Sequence, residues 1–132
     1  MITKRIIVFI LMIFIQTQSF CAIHSEATYR HSWCKAHNGI EEFKNKDYTR
    51  VDCLTSTHAV EFYFAKKWAE GIGQALHYQE MSGKRGMVVL ILENPKKEMI
   101  YFNRIKKLSV KYDFDVEYIT PDDLVLINNK HT

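Results

Sequence analysis

Beyond residue 24 the chain switches repeatedly between helical and strand-like hydrophobic periods, and each switch marks a new element. Residues 25–37 place Tyr29 and Trp33 one turn apart on one face, with Ser25 as a cap and Asn38-Gly39 as a stop, which predicts a helix. Residues 40–44 and 48–55, separated by Asn45-Lys46-Asp47, predict a hairpin, and 58–64 predicts a third strand. From residue 65 to 81 the period becomes helical. Phe64, Trp68, Ile72 and Leu76 recur every four residues as an apolar stripe, while Lys66, Glu70, Gln74 and Tyr78 form a neighbouring polar stripe. Ser82-Gly83 ends this helix. Residues 87–92 are continuously apolar, as expected of a strand covered on both faces. Asn94-Pro95 opens a helix over 96–112 with Met99, Ile100, Ile105 and Leu108 inward. Residues 115–120 predict a last strand, and 121–127 a short apolar tail.

The expected order is therefore α-β-β-β-α-β-α-β. A β-α-β succession after a meander implies a right-handed parallel crossover joined to antiparallel strands, so the fold class is α/β with a mixed sheet and helices packed on it.

The first residues obey a different rule. Lys4 and Arg5 precede an unbroken apolar run over residues 6–15, and Gln16-Thr17-Gln18-Ser19 returns to small and polar side chains. This is the layout of a secretory signal peptide, expected over residues 1–22, and ten apolar residues are too few for a permanent span. A single domain is then expected over residues 23–132, exported to a periplasm or beyond the cell. The chain has 132 residues, 47% hydrophobic and 25% charged, with 2 Pro and 5 Gly. Those figures exclude a disordered, collagen-like or multi-span protein.

Charge narrows the partners. The formal net charge is +3, and removal of Lys4 and Arg5 with the leader leaves +1. A nucleic-acid role must then rest on a local basic surface, because no global positive field is available. Export also changes the meaning of the cysteines. Cys34 and Cys53 are the pair certain to survive processing, and an even pair in an oxidising compartment predicts a disulfide, the other reading being two buried thiols.

Asp52 falls in the second strand, Glu61 in the third, Gln74-x-x-x-Tyr78 in the following helix and Glu26 in the first. In that order these residues resemble the PD-(D/E)XK nuclease superfamily, with its restriction-endonuclease-like fold, and the Gln-x-x-x-Tyr spacing resembles its helicase-associated branch. The resemblance implies metal-dependent hydrolysis of nucleic acid. It makes Asp52 and Glu61 ligands of Mg²⁺ or Mn²⁺, with the Phe62 carbonyl beside them and Glu26 in the outer shell, and it assigns Gln74 and Tyr78 to the phosphate backbone. Carboxylates suit the chemistry, since a hard divalent cation takes oxygen ligands, orients water and stabilises developing phosphate charge. The motif's lysine position holds Tyr63 instead. Lys66 is the expected source of a displaced ammonium, with Lys67 the less favoured neighbour. The competing reading is an exported binding module that keeps the scaffold without catalysis.

Overall fold

The structure, a computed structural model, describes residues 22–131. Four helices and five strands follow in the order α1 (Glu26–Ala36), β1 (Ile40–Lys44), β2 (Arg50–Leu54), β3 (His58–Phe64), α2 (Trp68–Ser82), β4 (Arg85–Ile91), α3 (Pro95–Tyr112), β5 (Asp115–Ile119) and α4 (Pro121–Lys130). A 3-10 turn, Ala65–Lys67, leads into α2. The strands lie in chain order in one open sheet. β1 pairs with β2 and β2 with β3 in antiparallel fashion, and β3, β4 and β5 run parallel. The leader expected over residues 1–22 lies outside the described residues except for Ala22. Among the described residues no helix is long and apolar enough to cross a membrane.

Local chemistry sets the element ends. Ser25 Oγ accepts from the Thr28 amide and caps α1. The Asn94 side chain accepts from the Lys97 amide and caps α3 ahead of Pro95, while the Asn94 amide donates to Glu98 Oε2 at 2.8 Å. Gly83 takes a left-handed conformation (φ 67°) that ends α2.

Alternation along the strands then decides which helix covers which face. Val60, Phe62, Met87, Val89 and Ile91 pack with Tyr29 and Trp33 of α1 and Leu124 of α4. Val88, Leu90 and Leu92 point the other way, onto Ala75 of α2 and Ile105 of α3. The sheet is thus a middle layer between α1 and α4 on one side and α2 and α3 on the other, which is why β4 is apolar along both faces. His58 of β3 hydrogen-bonds Asp115 of β5 at 2.9 Å, and Arg85 of β4 pairs with the same carboxylate at 2.7 Å.

Three sequence expectations change. The apolar tail after residue 120 is helix α4, because Thr120 and Asp123 form a capping box and Pro121 occupies the first turn. Ile100 is exposed rather than inward. In α2 the fully buried stripe is Gly71, Ala75 and Tyr78, with Trp68, Ile72 and Leu76 only half-buried beside it. Close approach explains that choice: a Cβ on Gly86 would sit 2.3 Å from the Ala75 carbonyl oxygen, so α2 lies against β4 where only small residues fit.

Cys34 and Cys53 form a disulfide, as expected, with both residues fully buried and Cα atoms 5.8 Å apart. It ties the end of α1 to β2 one residue from Asp52.

Candidate functional site

The site begins where two strands part. β2 and β3 are paired at Cys53 with Val60 and at Leu54 with Ala59. Beyond those pairs, side chains replace the ladder. The Asp52 amide donates to Glu61 Oε1 at 3.0 Å, and the Phe62 amide donates to Asp52 Oδ2 at 2.9 Å. Two carboxyls therefore fill the gap between the strands and satisfy backbone donors that the ladder has released. On the other side of Asp52, Glu42 of β1 has a left-handed backbone (φ 49°), an unusual conformation for a residue with a side chain. Its carboxylate lies 3.6 Å from Arg30 Nη2 and 3.8 Å from Arg50 Nη1.

Glu61 is 3% exposed. Burial, followed by the repulsion of Asp52, pushes its carboxyl up to about 8. Burial also raises Asp52, although the Phe62 amide and Arg30 pull the other way. In Glu26 of α1, burial raises the carboxyl, Asp52 adds to the rise, and Arg30 and Lys67 oppose it. Three acidic groups thus share one poorly solvated region. Arg30, one helical turn after Glu26, is the nearest guanidinium, with Nη1 3.7 Å from Asp52 Oδ1.

The sequence-derived residues divide into two sets. Glu26, Asp52 and Glu61 lie near enough to raise one another's carboxyls, but among the described residues they do not form a three-residue metal-binding group. Gln74 is exposed on the outside of α2. Tyr78 is 6% exposed and packs with Val51 and Ala59, so it belongs to the floor beneath the carboxyls rather than to a solvated face. Burial, then Glu61 and Asp52, pushes its phenol up to about 12, which keeps it protonated and able to donate. Tyr63 stands at the motif's lysine position, its ring held against Gly71 of α2, and burial raises its phenol as well.

Lys66 lines a cavity of about 290 Å³ with Asn94, Lys97, Glu98 and Tyr101 at the start of α3. Lys67 is the lysine whose charge acts on Glu26. It is exposed, at the end of the 3-10 turn that leads into α2. Arg30 and Glu42 were missed from sequence, where Lys67 stood as the less favoured neighbour of Lys66; Arg30 carried a signal, the four-residue spacing from Glu26 that places both on one helix face.

Among the described residues no three His, Cys, Asp or Glu side chains converge as a metal-binding group. Histidines are engaged elsewhere: His31 with Glu41, His58 with Asp115 and His77 with Asp47. The fit to a divalent ion therefore depends on Asp52 and Glu61 as a pair. A small hard cation commonly takes one or two carboxylates and keeps several waters, and each of these carboxyls has one oxygen outside its backbone bond. The donor chemistry fits Mg²⁺ or Mn²⁺ on those terms. No protein-family model, curated protein or solved structure matches the chain, so the assignment of this site rests on the chemistry of its own residues.

Proposed function

We propose that this chain is an exported, nuclease-like protein of restriction-endonuclease-like fold that hydrolyses phosphodiester bonds of nucleic acid with Mg²⁺ or Mn²⁺. The observation that carries the reading is the meeting of Asp52 and Glu61 where β2 and β3 part, with Glu26 beside them. The order of elements and the change from antiparallel to parallel pairing at β3 accord with that scaffold. Cys34–Cys53 accords with an oxidising compartment, periplasmic or extracellular.

Asp52 and Glu61 would hold the ion, with the Phe62 carbonyl next in the chain. When bound, the ion supplies a polarised phosphate and an oriented water. The rest is the work of this chain's own residues. Glu26 adds negative charge beside the ligands, and Lys67 offsets it from the turn that leads into α2. Tyr78 holds a phenol proton under the carboxyls and supports Val51 and Ala59. The mature charge of +1 makes nucleic-acid binding a matter of local contacts.

A second reading has its own observation. Tyr63 takes the motif's lysine position and is packed against Gly71, so the site has a neutral phenol where a cation is expected. That arrangement suits a nuclease-fold protein that binds without cleaving. One assay separates the two: protein made by export, incubated with plasmid, single-stranded DNA or RNA in Mg²⁺, Mn²⁺ or EDTA. Metal-dependent cleavage that disappears in Asp52→Asn supports the enzyme. Binding without cleavage in either metal supports the silent module.

A further inference from the structure

Arg30 reaches the acidic gap from α1, with its side chain 18% exposed. Its contacts are loose. Nη1 is 3.7 Å from Asp52 Oδ1 and Nη2 is 3.6 Å from Glu42 Oε1, while Nε is buried and has no hydrogen-bond partner. A guanidinium that is fully committed to a carboxylate makes bonds of about 2.7–2.9 Å, often two in parallel. Arg30 makes none of that kind here.

The geometry of Asp52 shows what the guanidinium faces. Oδ2 accepts from the Phe62 amide, which leaves Oδ1 as the oxygen able to ligate a cation, and Oδ1 is the atom next to Arg30. A divalent ion at Asp52 and a guanidinium beside the same oxygen repel each other, and in a poorly solvated gap that repulsion is weakly screened. The helix that carries Arg30 cannot readily retreat, because Cys34, one turn further on, is bonded to β2. The side chain can. Glu42 offers it a resting place at the surface, where Arg50 also sits.

We propose that Arg30 is a resident counter-cation that competes with a divalent metal ion for Asp52 Oδ1, so that the site takes up metal as the guanidinium moves off toward Glu42. The inference rests on the reading of Asp52 and Glu61 as a metal pair. It makes Arg30 a determinant of how tightly the site holds metal. Its loose contacts and unpaired Nε are what allow the exchange.

The test is calorimetric titration of Mn²⁺ into wild type, Arg30→Gln, Arg30→Lys and the double variant Arg30→Gln/Asp52→Asn, with folding checked by circular dichroism. Arg30→Gln should bind Mn²⁺ about tenfold tighter or more, the scale of removing one neighbouring like charge. Arg30→Lys should stay near wild type, and the double variant should not bind. Direct displacement has its own readout: in wild type, the Arg30 Nε–H NMR resonance should move in step with Mg²⁺ occupancy. That measurement also decides the matter if Arg30→Gln does not fold. Equal Mn²⁺ affinity in wild type and Arg30→Gln, or a stationary Nε–H signal while Mg²⁺ binds, overturns the competition and leaves the metal pair standing. Absence of Mn²⁺ binding in wild type and Arg30→Gln alike overturns both.

Discussion

Asp52 and Glu61 hold each other's strand: Glu61 Oε1 accepts from the Asp52 amide, and Asp52 Oδ2 accepts from the amide that follows Glu61, that of Phe62. The two carboxyls thereby let β2 and β3 separate without leaving buried donors unpaired. Asp52→Ala removes the acceptor of the Phe62 amide and should lower stability by about 1–3 kcal/mol, the desolvation penalty of an unsatisfied buried group. Asp52→Asn keeps an oxygen acceptor and should lose much less. Urea denaturation of the two variants against wild type measures the difference.

Glu61 should make the metal-free protein pH-sensitive. Its carboxyl is raised from 4.5 to about 8, first by burial and then by Asp52. Between those values the folded state holds a proton that the unfolded chain has released. Stability is therefore highest below the lower value and falls as pH rises through the upper one. In EDTA, Tm should be at least about 5 °C lower at pH 8.5 than at pH 5.5, and Glu61→Gln should flatten the profile. A profile equally steep in Glu61→Gln would assign the effect to other groups.

Lys67 is the lysine whose charge acts on Glu26, from the end of the 3-10 turn before α2, whereas Lys66 lines the cavity at the start of α3. Under the nuclease reading, Lys67→Met should lower turnover about a hundredfold, the scale of losing one electrostatic stabiliser, with Mn²⁺ affinity kept. Lys66→Met should remain within a few-fold of wild type. Steady-state cleavage of a single-stranded oligonucleotide, paired with Mn²⁺ titration, separates the two lysines.

The disulfide should be a main source of stability. Its cysteines are 19 residues apart in sequence, and closing a loop of that size is worth about 3 kcal/mol in the chain-entropy model. Replacing both cysteines by alanine should lower stability by that amount. Gly39 shields the bond: a Cβ there would lie 2.3 Å from Cys53 Sγ and 2.7 Å from Cys34 Sγ. Gly39→Ala should therefore destabilise as well, by about 1–3 kcal/mol for an overpacked core. Denaturation curves with and without reductant read both effects, since reduction should bring wild type toward the double variant.

The strands, the two long helices and the first helix were legible in the sequence because each carries a periodic or continuous apolar pattern bounded by turn and cap residues, signals that depend only on local backbone geometry. Helix α4 was not, because its signal lies in the Thr120–Asp123 capping box rather than in a strong apolar stripe. The sheet-facing side of α2 was hidden for a related reason: Gly71 and Ala75 bury little area of their own, and only contact with Gly86 and Val88 makes them the interface. The acidic residues of the site could be named from their strands, since Glu26, Asp52 and Glu61 sit on predicted elements in a recognisable order. Tertiary structure alone decided how they interact. The opening between β2 and β3, the left-handed turn of Glu42 and the approach of Arg30 from α1 and of Lys67 from the turn before α2 join residues far apart in the chain. No local period records that convergence, because it follows from how the sheet splays and how the helices pack over it.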